Sequence, residues 1–250
     1  MNARRKWTRD ELLLAINLYC QIPFGRIHSR NPQIIELAKI LNRAPGAVSW
    51  KLVNFAHIDP SLNRTGASHV SKLDREVWAE FFNDWDSLVF QSECLFHDSR
   101  KNLQGVSEYD KFPDKTGKDI ERKVRVRINQ DFFRRMILSS YNERCCLTGL
   151  SIPELLVASH IKPWAIDEKN RTNPQNGLCL NALHDKAFDR GLISLSNDYH
   201  IIVSKKVKKI NNEPEKQLLL NFEDKKITLP KRFLPNKKFL AFHRNNIFSD

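Results

Sequence analysis

No stretch of eighteen consecutive apolar residues occurs in this chain, so no transmembrane helix is expected. The basic residues within positions 1–9 are not followed by an apolar segment, which is not the pattern of a secretory signal. Cysteine is scarce and odd in number, five in 250 residues, which fits a reducing compartment better than a disulfide framework and makes the cytoplasm the expected location. Internal repeats and low-complexity tracts are also missing. Acidic residues are outnumbered, 29 against 41 Lys plus Arg, for a formal net charge of +12. That balance predicts a polyanionic partner, although charge alone does not separate DNA from RNA or an acidic membrane surface. What is present is an apolar fraction of 41%, enough to fill one large core or two small ones.

The N-terminal third reads as helices. Thr8 and Glu11 have capping-box spacing ahead of Leu12, Ala15, Ile16 and Tyr19 at helical intervals. Asn31-Pro32 opens a second helix carrying Ile35, Leu37, Ala38 and Leu41, and a third runs from Pro45 to Phe55. The second and third are spaced like the halves of a helix-turn-helix, which would aim Ser49, Lys51 and Asn54 at a nucleic acid. The alternative is a small three-helix core in which Val48, Leu52 and Phe55 simply pack. Ser71, with Asp74 three residues on, caps a fourth helix bearing Val77, Trp78, Phe81, Phe82 and Trp85.

Periodicity then fades, and residues 92–119 read as a linker. Beyond it Val124, Val126 and Ile128 alternate with Lys123, Arg125 and Arg127, the pattern of a strand or extended arm, before helical spacing resumes at Phe132, Phe133, Met136 and Ile137. The cations would follow a phosphate backbone or form a solvated face. Further on, GLISLSNDYHIIVSKK predicts a β-hairpin turning at Ser196-Asn197-Asp198. Another turn is expected near Glu223-Asp224, and a short amphipathic C-terminal helix carries Phe239, Leu240 and Phe242.

The chemistry concentrates in YNERCCLTGLSIPELLVASHIKPWAIDEKNRTNPQNGLCLNALHDKAFDRGLI. Residues 155–161 read as a strand ending at Ser159-His160, residues 177–180 as a second strand and residues 181–188 as a helix. A neutral imidazole can take a proton from water near pH 7 while a divalent cation supports charge developing on phosphate. This arrangement resembles the HNH, or ββα-metal, nuclease family. The wording SHIKPW…NPQNGLCLNALHDKAFDRGLI is similar to the subgroup of stand-alone bacterial HNH proteins regarded as restriction endonucleases. The match covers residues 141–204, with weaker similarity from about Gly117 to the C-terminus.

The resemblance implies roles for particular residues. His160 would be the general base that activates water. Asn176 would match the Asn that pins the loop and in some relatives reaches the metal. His184 would match the second histidine and ligate the metal. The position before the base, commonly Asp or His, is Ser159, a weaker ligand, and the position four after His184 is Phe188. Metal binding would therefore draw on His184, Asn176, Ser159 and Asp185 together with water and phosphate, which suits Mg²⁺ or Mn²⁺. Asp185 and Asp189 would alternatively pair with Lys186 and Arg190 on the helix surface. Lys162 and Arg190 would hold phosphate, joined by Arg125, Arg127, Lys51 and Asn54 elsewhere, whereas Trp164 is expected to pack.

Many HNH relatives hold a structural zinc with two CxxC pairs. Here each pair has lost a thiolate, Cys145 standing with Thr148 and Cys179 with Ala182, so no structural zinc is expected. Cys145, Cys146 and Cys179 read instead as small core residues, and Thr148-Gly149 as a tight turn. The expected fold is α+β: an N-terminal helical, DNA-contacting domain over residues 1–91, a linker over 92–119, and an HNH domain over 120–250 extended by β-hairpins. The implied activity is metal-dependent hydrolysis of double-stranded DNA in restriction or defence. Cutting both strands would call for two copies, hence a homodimer. The alternatives are an N-terminal module that reads a modified or flipped base, an inactive HNH fold used for docking on DNA, and an RNA nuclease.

Overall fold

The computed structural model describes residues 5–62, 69–104, 118–210 and 212–249. It divides into two compact units, Met1–Phe132 and Phe133–Asp250. The first is helical and the second mixes short strands with helices. No helix among the described residues is long and apolar enough to cross a membrane.

In the first unit, helix α1 (Arg9–Gln21) starts at the full capping box of Thr8 and Glu11. Its residues 11–20 are all buried, because α3, α4 and α5 surround it. Helix α2 (Pro32–Ile40) is capped by Asn31, and α3 (Pro45–Ile58) begins with Pro at its first position. Helix α4 (Lys72–Asn83) starts at Ser71, again with a complete capping box. Tyr19 meets Phe55 edge-on, Phe55 stacks on Trp78 and Trp78 on Phe82, and the Tyr19 hydroxyl donates to Asp59 at 2.7 Å.

Two expectations for the middle of the chain are corrected. Residues 92–104 belong to helix α5 (Trp85–Gln104), which buries Trp85 and Val89 and donates the Ser92 hydroxyl to the Val89 carbonyl. The polar residues that suggested a linker include the exposed or half-exposed positions of a helix. The rest of the expected linker, up to residue 117, lies outside the described residues. The alternating stretch at 123–128 is not a strand but part of helix α6 (Lys118–Ser140), within which the boundary between the two units falls. Helical residues advance about 100° each, so Lys123 and Arg127, four apart, share a side while Arg125 between them points away from it. Arg125 is bound to Asp86 at 2.8 Å, while Arg127 is exposed.

In the second unit, strand β1 (Leu156–His160) pairs antiparallel with β2 (Gly177–Asn181), His160 opposite Gly177. Helix α7 (Ala182–Asp189) follows at once, its start capped by Asn181, whose Oδ1 accepts from the His184 N–H at 2.8 Å. It packs on both strands, giving a ββα unit. Gly177 is required where it stands: an added Cβ would collide with the Ile137 side chain and lie 2.7 Å from Phe133 Cζ. Strands β3 (Ile193–Leu195) and β4 (Ile201–Val203) form the expected hairpin, turning at Ser196 with Tyr199 at φ +66°. The second turn is also present, Asp224 adopting φ +58°. Short helices α8 (Lys205–Lys208) and α9 (Glu213–Leu218) follow, then α10 (Lys237–Asn246), which packs against β3 through its buried Leu240 and His243.

Candidate active site

The end of β1 presents a histidine held on every side. The His160 imidazole stacks on Phe133, ring centroids 3.9 Å apart and planes 14° from parallel, and meets Trp164 edge-on at 5.4 Å. Its Nε2 lies 2.8 Å from the Arg171 carbonyl. A carbonyl only accepts, so Nε2 carries the proton and Nδ1 keeps its lone pair. Burial lowers the His160 pKa below its ordinary value, the Arg171 carbonyl opposes that and the Arg171 charge adds to it. The ring is therefore neutral at pH 7, in one defined tautomer.

The loop between β1 and β2 is tied by side chains. Asn176 is buried: its Oδ1 accepts from Lys162 N at 2.8 Å, and its Nδ2 donates to the carbonyls of Lys162 and Asn170 at 3.0 and 3.2 Å. This is the loop-pinning role. Those bonds tie both ends of the amide to the loop backbone and use one of the two lone pairs on Oδ1. Lys162, expected to hold phosphate, pairs with Asp167 at 2.9 Å. Trp164 is packed as expected, under the Arg171 guanidinium at 5.2 Å.

Helix α7 turns its histidine inward. His184 faces the interior at 2% exposure, its Nε2 donating to the Leu218 carbonyl at 2.9 Å and its ring edge-on to Phe222. Its Nδ1 has no partner in standard hydrogen-bond geometry, and the Cys145 thiol supplies a weaker sulfur-centred contact. Burial pushes that thiol up, but hydrogen bonds with His184, Thr148 and the backbone outweigh it and bring it to about 7. His184 is therefore committed to the core.

One step along the helix stands Asp185, half-buried. Burial raises the Asp185 carboxyl above its usual value, while the Ser159 hydroxyl and Lys186 hold it down. Ser159 Oγ is itself buried without a partner in standard geometry. Asp189, one turn on, is raised by burial and then by the charge of Asp185. In the sequence Asp189 was read only as a surface partner of Lys186 and Arg190, although its i,i+4 spacing from Asp185 was a usable signal. Asp185, in contact with the Ser159 hydroxyl and one helical turn from the exposed Asp189, offers oxygen donors of the kind a hard divalent cation takes together with several waters. Among the described residues no group of three or more His, Cys, Asp or Glu converges as a complete metal cage. Arg190, at the C-terminal end of α7, is exposed.

The remaining expected contacts lie in the first unit. Lys51 is buried and bound to Asp74 at 2.8 and 2.9 Å, so it is not free for DNA. Asn54 donates to the His69 carbonyl at 3.1 Å. Arg127 lines an open groove on α6 with Arg122 and Lys123.

With this geometry in view, residues 145–196 match the model of the HNH endonuclease family. An HNH-family domain of nuclease fold occupies that stretch, about a fifth of the chain. No curated protein matches the sequence.

Proposed function

We propose that this protein is a divalent-metal-dependent endonuclease that hydrolyses phosphodiester bonds in double-stranded DNA. The observation that carries the reading is His160, a neutral imidazole whose Nε2 is fixed by the Arg171 carbonyl, on the strand that also bears Ser159 next to Asp185. Nδ1 of His160 takes the proton as water attacks phosphorus. Phe133 and Arg171 fix the ring, and Asn176 holds the loop that supplies the Arg171 carbonyl. Asp185 and Asp189, with Ser159, would hold Mg²⁺ or Mn²⁺, which when bound supports the negative charge gathering on phosphate and the departing oxygen.

Arg190 and Arg127 are exposed cations available to the DNA backbone. The resemblance to restriction-type HNH proteins supports a role in restriction or defence and the scarcity of cysteine supports a cytoplasmic location, with the helical domain and residues 120–250 dividing DNA contact and cleavage between them. A homodimer would address both strands.

The test is cleavage of one plasmid, methylated and unmethylated, with EDTA, Mg²⁺ or Mn²⁺, alongside His160→Ala. Metal-dependent products lost in the variant are expected. DNA binding without cleavage under every condition would sink the catalytic reading in favour of a docking protein.

A further inference from the structure

The helical unit holds a cleft that the proposed reaction does not use. It measures about 1170 Å³, and its walls include Arg5, Lys6, Trp7, Arg43, Trp50 and Asn54. The Arg43 guanidinium lies 4.1 Å from the Trp7 ring centroid, and the Lys51 ammonium lies 5.1 Å from it. Arg43 is anchored in turn by Glu11 and by the carbonyls of Arg5 and Lys6, so Trp7 is a fixed part of the wall. Trp50 is different. It is 66% exposed, the most exposed of the large hydrophobic side chains described.

A single exposed apolar residue is ordinary. An exposed indole in a concave site walled by a second indole and four cations, with no carboxylate among the lining residues, is a combination with specific ligand chemistry. Glu11 and Asp74 already neutralise part of that charge, through Arg5, Arg43 and Lys51. Lys6, exposed at the rim, is the cation best placed for a ligand anion. The chemistry fitted is a flat π-system joined to a phosphate. Bases within a duplex are stacked on one another and cannot offer a face, whereas an unpaired base can lie on an aromatic ring while cations follow its backbone.

We propose that the Trp7–Trp50 cleft binds single-stranded or locally unpaired DNA, with a base on Trp50 and its phosphate near Lys6. The proposal deepens the function above and rests on DNA being the substrate.

The test uses full-length protein carrying His160→Ala, in EDTA, and fluorescence anisotropy of a labelled DNA 12-mer over a range of salt. Duplex and RNA of the same length serve as competing probes. The part of binding that depends on Trp50 is expected to be larger for the single strand than for either. Trp50→Ala should weaken it about tenfold, the scale of one base-aromatic stack, and Trp50→Phe should recover most of that loss. Lys6→Ala should lower the salt slope by about 0.7, one phosphate contact on a single strand.

Unchanged affinity in Trp50→Ala, with unaltered circular dichroism and melting, would overturn the proposal. So would a larger Trp50-dependent loss for duplex or RNA than for the DNA strand. Plasmid cleavage by the parental protein keeps the two readings apart. Cutting without dependence of binding on Trp50 defeats the cleft alone, and Trp50-dependent binding without cutting defeats the catalytic reading alone.

Discussion

His160 lies flat on Phe133, and the residue opposite His160 in the sheet is Gly177, whose missing side chain leaves room for that same phenylalanine. The base is thus positioned by packing from one side and by the Arg171 carbonyl from the other. Because only neutral His160 accepts a proton, kcat/KM should rise with pH, with its break below the ordinary histidine value of 6.5, and then level off. Phe133→Leu keeps bulk but admits water to the ring. It should lower kcat by about tenfold, less than the roughly 100- to 10,000-fold lost with a general base itself, and move the break up toward 6.5. A break unmoved in the variant would show that Phe133 does not set the proton affinity of His160.

Asp185 and Asp189 sit one turn apart, and the charge of one raises the pKa of the other. Asp185→Asn and Asp189→Asn should each weaken Mn²⁺ binding, read by electron paramagnetic resonance, by at least the roughly 10–100-fold seen when only an outer-shell partner is lost. In EDTA, Asp189→Asn should stabilise the fold slightly, by about 0.2–0.5 kcal/mol, by removing an i,i+4 like-charge pair. His184→Asn should leave Mn²⁺ affinity unchanged while lowering the melting temperature. Loss of Mn²⁺ binding in His184→Asn would restore the histidine as the ligand.

The contrast between His184 and Asp185 shows how far the sequence could be read. Signals that act between neighbours along the chain were legible: Thr8 with Glu11, Asn31 before Pro32 and Ser71 with Asp74 all cap the helices they mark. The turn at Ser196 was legible for the same reason, whereas Asn176 as a loop pin came from the family resemblance, its partner Lys162 lying 14 residues away. Which of two adjacent polar residues on α7 faces the strand is settled by packing, because one residue is about 100° of rotation. The Val124–Ile128 alternation was too short to separate strand from helix, and the contact that fixes Arg125 comes from Asp86, 39 residues earlier. Lys51 looked like a surface cation because its partner is 23 residues away.

That partner makes Lys51 a stability residue. Asp74 accepts from Lys51 Nζ at 2.8 Å and from the Ser71 N–H at 2.9 Å, joining α3 to the cap of α4. Removing one member of a buried pair leaves the other charge uncompensated, at a cost of about 3–5 kcal/mol. Lys51→Met should lower the urea midpoint of the helical unit accordingly. The double variant Lys51→Met, Asp74→Asn should recover part of that loss, because no charge is then stranded. Equal midpoints for the wild type and Lys51→Met would show that the pair contributes nothing.

His243 predicts how stability follows pH. It is buried on α10, stacked on Phe188 at 3.7 Å, with Nε2 donating to the Phe188 carbonyl at 3.0 Å and Nδ1 accepting from the Ser194 hydroxyl at 2.8 Å. Burial pulls its pKa down from 6.5 to about 4, against the Phe188 carbonyl and with help from the Arg244 charge. The unfolded chain takes up the proton at the higher pH. The contribution is therefore complete above pH 6.5, falls as pH drops toward 4 and is gone below that. Its full size is about 3 kcal/mol, from a shift of roughly 2.5 pKa units. His243→Gln keeps a polar group but does not titrate. Wild type and variant unfolded in urea at pH 7 and pH 4 should converge in stability at the acid end. A gap that stays constant would mean that His243 is protonated as readily in the folded protein as in the unfolded chain.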